Sequence, residues 1–355
     1  MTSKIEKNLL AAAVAGAIGF AAAPAQAVDA EVSGFVNRAF MSADDGEDSR
    51  TTFVDNTTAN SRFRFTGSQE IRPDLRAGVF VEFAIPSSNS SAVSIQNPST
   101  PFSVNERHVD AFIEGGFGKV SLGQGDGAGN GAMEVDQSGT FIAGYSAANL
   151  IGGGVAFRNE NTGALGPTIG ATYSNFDFYS RHDRVRYDTP TIGPGLMVSV
   201  SYGTANGQED ATELVARQNV DVGFGQLSWA LGTGSQGGTG TDINGGSGSL
   251  LLDNGINVTL AAADAENNAT GNDAGTLFYT KVGYTTGPHS LSGDYGNTED
   301  RAQDGDESEV FGVQYLYRAT DWMDLYVAGK QHSLDRDGTD FDDINILFAG
   351  TRVKF

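Results

Sequence analysis

The feature that most constrains this chain is a two-residue alternation of apolar and polar side chains that returns along most of its length. Only an extended strand with one face toward oil and one toward water produces that period. The closing stretch shows it most plainly. Phe355, Val353, Thr351, Ala349 and Leu347 share one parity, against Lys354, Arg352 and Gly350 on the other. Arg62-Phe63-Arg64-Phe65-Thr66 repeats the pattern, then the turn Arg72-Pro73-Asp74, then Leu75 to Ile85 with Arg76, Gly78, Phe80 and Glu82 on its second face. Leu227, Trp229 and Leu231, then Ile256, Val258 and Leu260, then Phe311, Val313, Tyr315 and Tyr317 continue it.

The first 27 residues read as something else. Lys4 and Lys7 precede an uncharged run from Leu9 to Ala25 and the small-x-small triplet Ala25-Gln26-Ala27, which is the pattern of a cleaved signal peptide over 1–27. The mature chain is then expected to start at Val28 and to work outside the cytoplasm. No later stretch approaches the roughly 18 consecutive apolar residues of a spanning helix. In lipid only helices and closed barrels satisfy every backbone group, so a membrane form of this chain must be a barrel.

An arginine facing lipid at mid-depth would cost about 2–4 kcal/mol. Arg62, Arg64 and Arg76 are therefore expected to point into water inside. Counting alternating segments gives about sixteen strands, an all-β, antiparallel transmembrane barrel with an even count and a lumen wide enough for water. Gly115-Gly116, Gly193-Pro194, Gly287-Pro288 and Ala319-Thr320-Asp321 read as short turns at one end. Segments 42–59, 86–103, 204–211, 233–247 and 265–274 read as longer connections at the other. Between Gly123 and Arg181 the rhythm stops for 57 residues. A barrel allows so long a connection to fold inward and narrow the channel.

The chain carries 22 Lys and Arg against 44 Asp and Glu, a formal charge of −22. Losing Lys4, Lys7 and Glu6, a net of one positive charge, takes this to −23. Such a surface repels nucleic acid. The acid clusters at Asp44 to Asp48, Glu299 to Glu309 and Asp335 to Asp343, which read as solvated connections. Divalent cations bridging to anionic lipid heads are the sharper reading, but no run has the fixed spacing of a calcium loop. There are no cysteines, hence no disulfides and no thiolate chemistry. His108, His182, His289 and His332 lack metal-ligand spacing. Gly152-Gly153-Gly154 lacks a phosphate-loop context, and Asn244-Gly245-Gly246-Ser247-Gly248 reads as loop. No catalytic constellation, cofactor motif or metal site is found, so an enzyme is not expected.

Three stretches resemble the general diffusion porins of Gram-negative outer membranes. Ser61 to Glu70 is similar to the family's second strand, Gly116 to Gln124 to its fourth-to-fifth strand turn, and Arg184 to Pro190 to the strand after its constriction loop. Phe355 matches the family's assembly signal. The resemblance implies a sixteen-stranded homotrimer with one channel per subunit, and places 124–180 in the pore as a constriction loop within a barrel domain of 28–355. It also implies outer-membrane lipid and lipopolysaccharide, the barrel-assembly machinery, and small hydrophilic solutes and ions as partners. In that family acids of the loop face arginines of the wall. Here the loop offers Asp126, Glu134 and Asp136. The wall offers Arg62 by parity and resemblance, and Arg64, Arg76, Arg184 and Arg186 mainly by parity. Arg107 is a wall arginine by resemblance, yet its parity groups it with Val109, Ala111 and Ile113. Either a β-bulge shifts the register or this strand lies at a subunit interface.

Passive diffusion of small hydrophilic solutes and ions is the function these expectations define, with cation preference suggested by the acid excess. A substrate-selective channel is a second possibility, and an exported acidic β-rich adhesin or surface protein without a pore is the alternative of a different class.

Overall fold

In a computed structural model, residues 29–205, 209–238, 240–268 and 272–355 are described. The signal peptide expected at 1–27 lies outside them. The wall begins with β1 (Asp29–Asp44), β2 (Ser49–Asp55), β3 (Arg62–Arg72), β4 (Leu75–Ala84), β5 (Asn105–Gly115) and β6 (Gly118–Asp126). It resumes with β9 (Arg181–Asp188), β10 (Leu196–Ala205), β11 (Glu209–Asp221), β12 (Gly225–Gln236), β13 (Thr241–Leu252) and β14 (Ile256–Asn267). It ends with β15 (Asn272–Thr286), β16 (His289–Glu299), β17 (Glu307–Thr320), β18 (Met323–Asp335) and β19 (Ile344–Lys354). Between β6 and β9 lie only a small hairpin, β7 (Ala156–Arg158) and β8 (Leu165–Thr168), and one helical turn, α1 (Ile169–Thr172), besides short 3-10 turns.

Every wall pairing is antiparallel, and β19 pairs with β1, so the sheet has no free edge. The register explains the count. The upper half of β1 (Arg38 to Asp44) pairs with β2, and its lower half (Asp29 to Phe35) pairs with β3. β2 and β3 are thus one wall strand interrupted by the turn Thr57–Ala59, and the barrel has sixteen. That break is sealed by polar bonds. The Asn37 amide nitrogen donates to the Ala59 carbonyl at 2.8 Å, and the Tyr326 hydroxyl donates to the Asn37 side-chain oxygen at 2.7 Å.

Exposure alternates along the strands, as in β14, where Ile256, Val258 and Leu260 are exposed while Asn257 and Thr259 are buried. An exposed apolar face on a closed barrel is the face that meets hydrocarbon. No helix among the described residues is long and apolar enough to cross a membrane. The two ends differ as expected: β3–β4, β5–β6, β15–β16 and β17–β18 are joined by short turns, while the connections of 85–104 and 127–180 leave from the opposite end.

Two expectations are corrected here. The segments 42–59, 204–211, 233–247 and 265–274 are mostly wall, because β1 reaches Asp44 and β2 spans Ser49–Asp55, β10 reaches Ala205 and β11 starts at Glu209, β12 reaches Gln236 and β13 starts at Thr241, and β14 and β15 shorten the last in the same way. Asn244-Gly245-Gly246-Ser247-Gly248, read above as loop, is the middle of β13. Its inner face lacks large side chains because another part of the chain lies on it: a Cβ on Gly245 would come within 2.9 Å of the Met133 sulfur.

The seam closes at Phe355, whose backbone exchanges two hydrogen bonds of 3.0 Å with Gly34. Its ring lies over Gly34, where an added Cβ would meet the ring at 2.7 Å and also crowd the Arg62 carbonyl. Only glycine lets the terminal aromatic close down on β1.

Candidate functional site

On β3, Phe63 and Phe65 take the exposed face, so Arg62 and Arg64 take the inner one. Opposite them on β4, Glu82 pairs with Arg64 in the ladder and is almost wholly buried. Its carboxylate is shared by three guanidiniums. Arg62 reaches Oε1 at 3.3 Å, Arg107 bonds the same oxygen through Nε, and Arg64 bonds Oε2 through Nε. Arg62 also donates to the Asn60 carbonyl at 2.9 Å.

Arg107 arrives by a β-bulge. Glu82 pairs with His108 and the next residue, Phe83, pairs with Glu106, leaving Arg107 unpaired between them. The extra residue turns its side chain from the outer face to the inner one. The ladder thus contains the bulge that one of the two readings called for.

Next to this group, Arg181 at the start of β9 pairs with Asp126, the last residue of β6, at 3.0 Å, and His108 Nε2 lies 3.4 Å from the same carboxylate. Four arginines here stand against Glu82 and Asp126, a local excess of two positive charges inside a strongly acidic protein. Arg64 is the most open of them, with 39% of its side chain exposed.

The other basic candidates sit elsewhere. Arg184 pairs with Asp110 at 2.5 Å and donates to the Gly123 and Asp126 carbonyls; Arg186 pairs with Asp188 at 2.8 Å and donates to the Gly127 carbonyl. Both hold the point at which the chain leaves β6. Arg76 pairs with Glu114 at 2.5 Å beside the short turn of β3–β4, away from the cluster.

β6 runs to Asp126 and β9 starts at Arg181, so the connection proper is 127–180. It is bonded along its length to inner-face side chains of the wall. The Val135 amide donates to Ser247 Oγ and the Gln137 amide to Ser249 Oγ, each at 2.9 Å. Thr140 and Ser292 hydroxyls meet at 2.6 Å, and Asn56 Nδ2 donates to the Ile142 carbonyl at 2.8 Å. Asp136 is buried against Lys281 Nζ at 2.8 Å, and that ammonium also donates to the Gly144 carbonyl at 2.7 Å. Glu134 is enclosed within the segment, 3.4 Å from the Asn175 amide nitrogen. Burial pushes its carboxyl well above the usual range, and the neighbouring Asp177 charge adds to the rise. Of the three acids expected to face those wall arginines, Asp126 pairs instead with Arg181, which was not among them, while Glu134 and Asp136 are turned to other partners.

Residues missed by pattern reasoning are Glu82 as the hub, Arg181 and Lys281. Glu82 carries the inner parity of β4, and Lys281 the inner parity of β15 opposite the exposed Val282, so both were findable by asking which inner charges lack a neighbour of opposite sign. Arg181 had no such signal, since its position depends on where β6 and β9 end. Among the described residues no three His, Asp or Glu side chains gather closely enough to hold a metal ion.

A closed antiparallel barrel with an apolar outer belt and an arginine-lined inner face defines a transmembrane β-barrel of the outer-membrane type. The family model for Gram-negative porins matches residues 10–337, and the chain belongs to that family. It is an outer-membrane diffusion channel. Solved structures share the fold at low identity. The anion-selective porin from Comamonas acidovorans is 18% identical with a TM-score of 0.66, over 93% of this chain and 100% of that one. OmpT of Vibrio cholerae, expressed in the outer membrane, is 14% identical with a TM-score of 0.61, over 94% and 99%. OmpF of Salmonella typhi, in complex with daunomycin, is 13% identical with a TM-score of 0.59, over 92% and 97%. No curated protein matches the sequence.

Proposed function

We propose that residues 127–180 fold into the lumen and narrow it, so that small hydrophilic solutes and ions pass between this segment and the arginine cluster of β3 to β6 and β9. The observation that carries this is the set of bonds from the segment to inner-face groups of β13, β15 and β16, namely Ser247, Ser249, Lys281 and Ser292. Among the described residues Arg62, Arg64 and Arg107 bond Glu82 and Asn60 and make no hydrogen bond to the segment, which leaves the open Arg64 facing water. A chain without cysteines offers a clean test. Thr140→Cys with Ser292→Cys should form a disulfide in the folded barrel with little change in conductance; absence of the crosslink under oxidation would remove the narrowing segment from the lumen.

The cation preference suggested by the acid excess finds no support at this site. Much of that acid is in exposed connections such as Glu299 to Glu309, whereas the narrow region carries the local positive excess described above. Opposed or unbalanced charge in a narrow aqueous gap sets ion preference. The channel therefore favours anions where it is tightest, and one structural relative is named an anion-selective porin.

The reading includes a homotrimer. Arg38 sits on the outer face of β1 near mid-strand, 40% exposed, with Asp55 4.0 Å away and the Ser87 carbonyl at 2.9 Å. A guanidinium at that depth is costly in lipid, and a second copy of the chain covering this face removes the cost. OmpT of Vibrio cholerae has been solved in a trimer form. Single-channel recording checks it: three equal closing steps are expected, and single-step closure overturns it.

A further inference from the structure

The inner face of β4 breaks its own rule at Phe80. The inside of a membrane barrel is polar where it meets water. The ladder partners of Phe80 on that face obey this, being Thr66 of β3 and Asp110 of β5, yet between them stands a half-buried phenyl group. It takes no part in the apolar core that joins 127–180 to the wall. Among the described residues the one ring against it is that of His108, centres 4.6 Å apart and tilted by 43°. One residue pair lower, a Cβ on Gly78 would come within 2.7 Å of the Phe112 ring, so glycine there lets a second ring lie down on the same inner face, with Lys119 Nζ 4.5 Å from its centre. Phe112 is likewise outside that core.

The charge above Phe80 is of one kind. Arg64 and Arg107 each bond Glu82 through Nε, and their terminal nitrogens make no hydrogen bond among the described residues. Those paired N–H groups form a fork that matches a carboxylate. Glu82 is two residues from Phe80 on the same face, about 7 Å along the strand. Guanidinium forks with unused donors therefore stand one step above an aromatic surface left partly in water.

We infer that this stretch of wall is a binding step for small aromatic carboxylates, the carboxylate on the Arg64 fork and the ring against Phe80. An aliphatic anion would satisfy the guanidinium and leave the phenyl group wet, and an uncharged aromatic would cover the ring and leave the fork unanswered. Only a solute carrying both groups answers both. The inference rests on the reading that solutes pass along the arginine side, and names the class of solute that this side favours.

The test is block of chloride current through wild-type channels in a planar bilayer by benzoate, with acetate as the charge without the ring and benzyl alcohol as the ring without the charge. Benzoate should reach half-block at a concentration about tenfold below either of the others, the scale of one good aromatic contact added to an ion pair. Phe80→Ala should raise the benzoate value about tenfold and leave that of acetate in place, whereas Phe80→Tyr, which keeps the ring, should stay close to wild type. Benzoate no stronger than acetate, benzyl alcohol as strong as benzoate, or a benzoate value equal in wild type and Phe80→Ala overturns the inference, as does Phe80→Tyr losing as much as Phe80→Ala. The wild-type comparison decides the matter even where a variant assembles poorly. Reversal potential of the same channels separates the two readings: anion preference without a benzoate advantage defeats this inference alone, and cation preference defeats the path on which it rests.

Discussion

Replacing Glu82 by Gln removes one negative charge from the group of four arginines and leaves a hydrogen-bond acceptor among them. The local excess rises from two positive charges to three. An ion passing about 5 Å from that position in water feels about 0.8 kcal/mol per unit charge, reduced to about 0.5 kcal/mol at 0.1 M salt, where the screening length is about 10 Å. Anions gain that amount and cations lose it, so the anion-to-cation permeability ratio should rise about fivefold. The assay is the reversal potential of single channels under a tenfold potassium chloride gradient. Mobility of unheated protein on a denaturing gel confirms that the barrel is folded. A second arm varies the salt. At 0.01 M, with a screening length of about 30 Å, the acidic connections act on the lumen and should shift wild type toward cations, whereas at 1 M, about 3 Å, only groups at the wall count. An unchanged ratio in Glu82→Gln at 0.1 M, or a shift toward cations, would refute the placement of the arginine cluster on the permeation path.

Gly34→Ala should lower stability by about 1–3 kcal/mol, because its methyl group overlaps the Phe355 ring and the Arg62 carbonyl; the midpoint of denaturant unfolding measures it. Lys281→Met leaves Asp136 buried without its partner, which costs about 3–5 kcal/mol locally and should loosen 127–180, seen as noisier open-channel current; adding Asp136→Asn should restore much of the quiet state. Glu134 gives a pH test. Its carboxyl titrates above the usual range in the folded chain, so the folded state holds a proton that the unfolded chain has released, and stability falls as pH rises from the ordinary carboxylate value through the raised one. Glu134→Gln should flatten the fall in melting temperature between pH 5 and pH 8, and an equally steep fall would refute the assignment.

The wall was legible because one physical rule governs it: a side chain facing hydrocarbon must be apolar. That rule places Phe63, Phe65, Val258 and Leu260 outside and Arg62, Arg64 and Glu82 inside without reference to any other element. It fails wherever the inner face meets protein instead of water. In β13 Gly245 packs against Met133, and Ser247 and Ser249 accept from the Val135 and Gln137 amides, so the strand reads as loop because the partner that shapes it is over a hundred residues distant in sequence. The same cause hides the roles of Asp136 and Glu134. A carboxylate in a long connection reads as solvated until the wall lysine or the buried neighbour that it meets is placed beside it.

Arg107 shows the intermediate case. Its parity alone points outward, and the structure satisfies the lipid rule by spending one residue on a bulge. The bulge has a local cause that the sequence does display. Glu82, facing inward on β4, needs charge from the neighbouring strand, and β5 offers Arg107 one position out of phase. Skipping a ladder pair there delivers the guanidinium to Glu82 and removes it from hydrocarbon in a single step, while Val109 and Ala111 keep their outer places. The rule that hydrocarbon faces stay apolar thus determines strand positions directly and, where a charge breaks the rhythm, determines register as well. The arginine cluster exists because of that irregularity: in an unbroken β5 it would lose Arg107, and Glu82 would hold two guanidiniums in place of three.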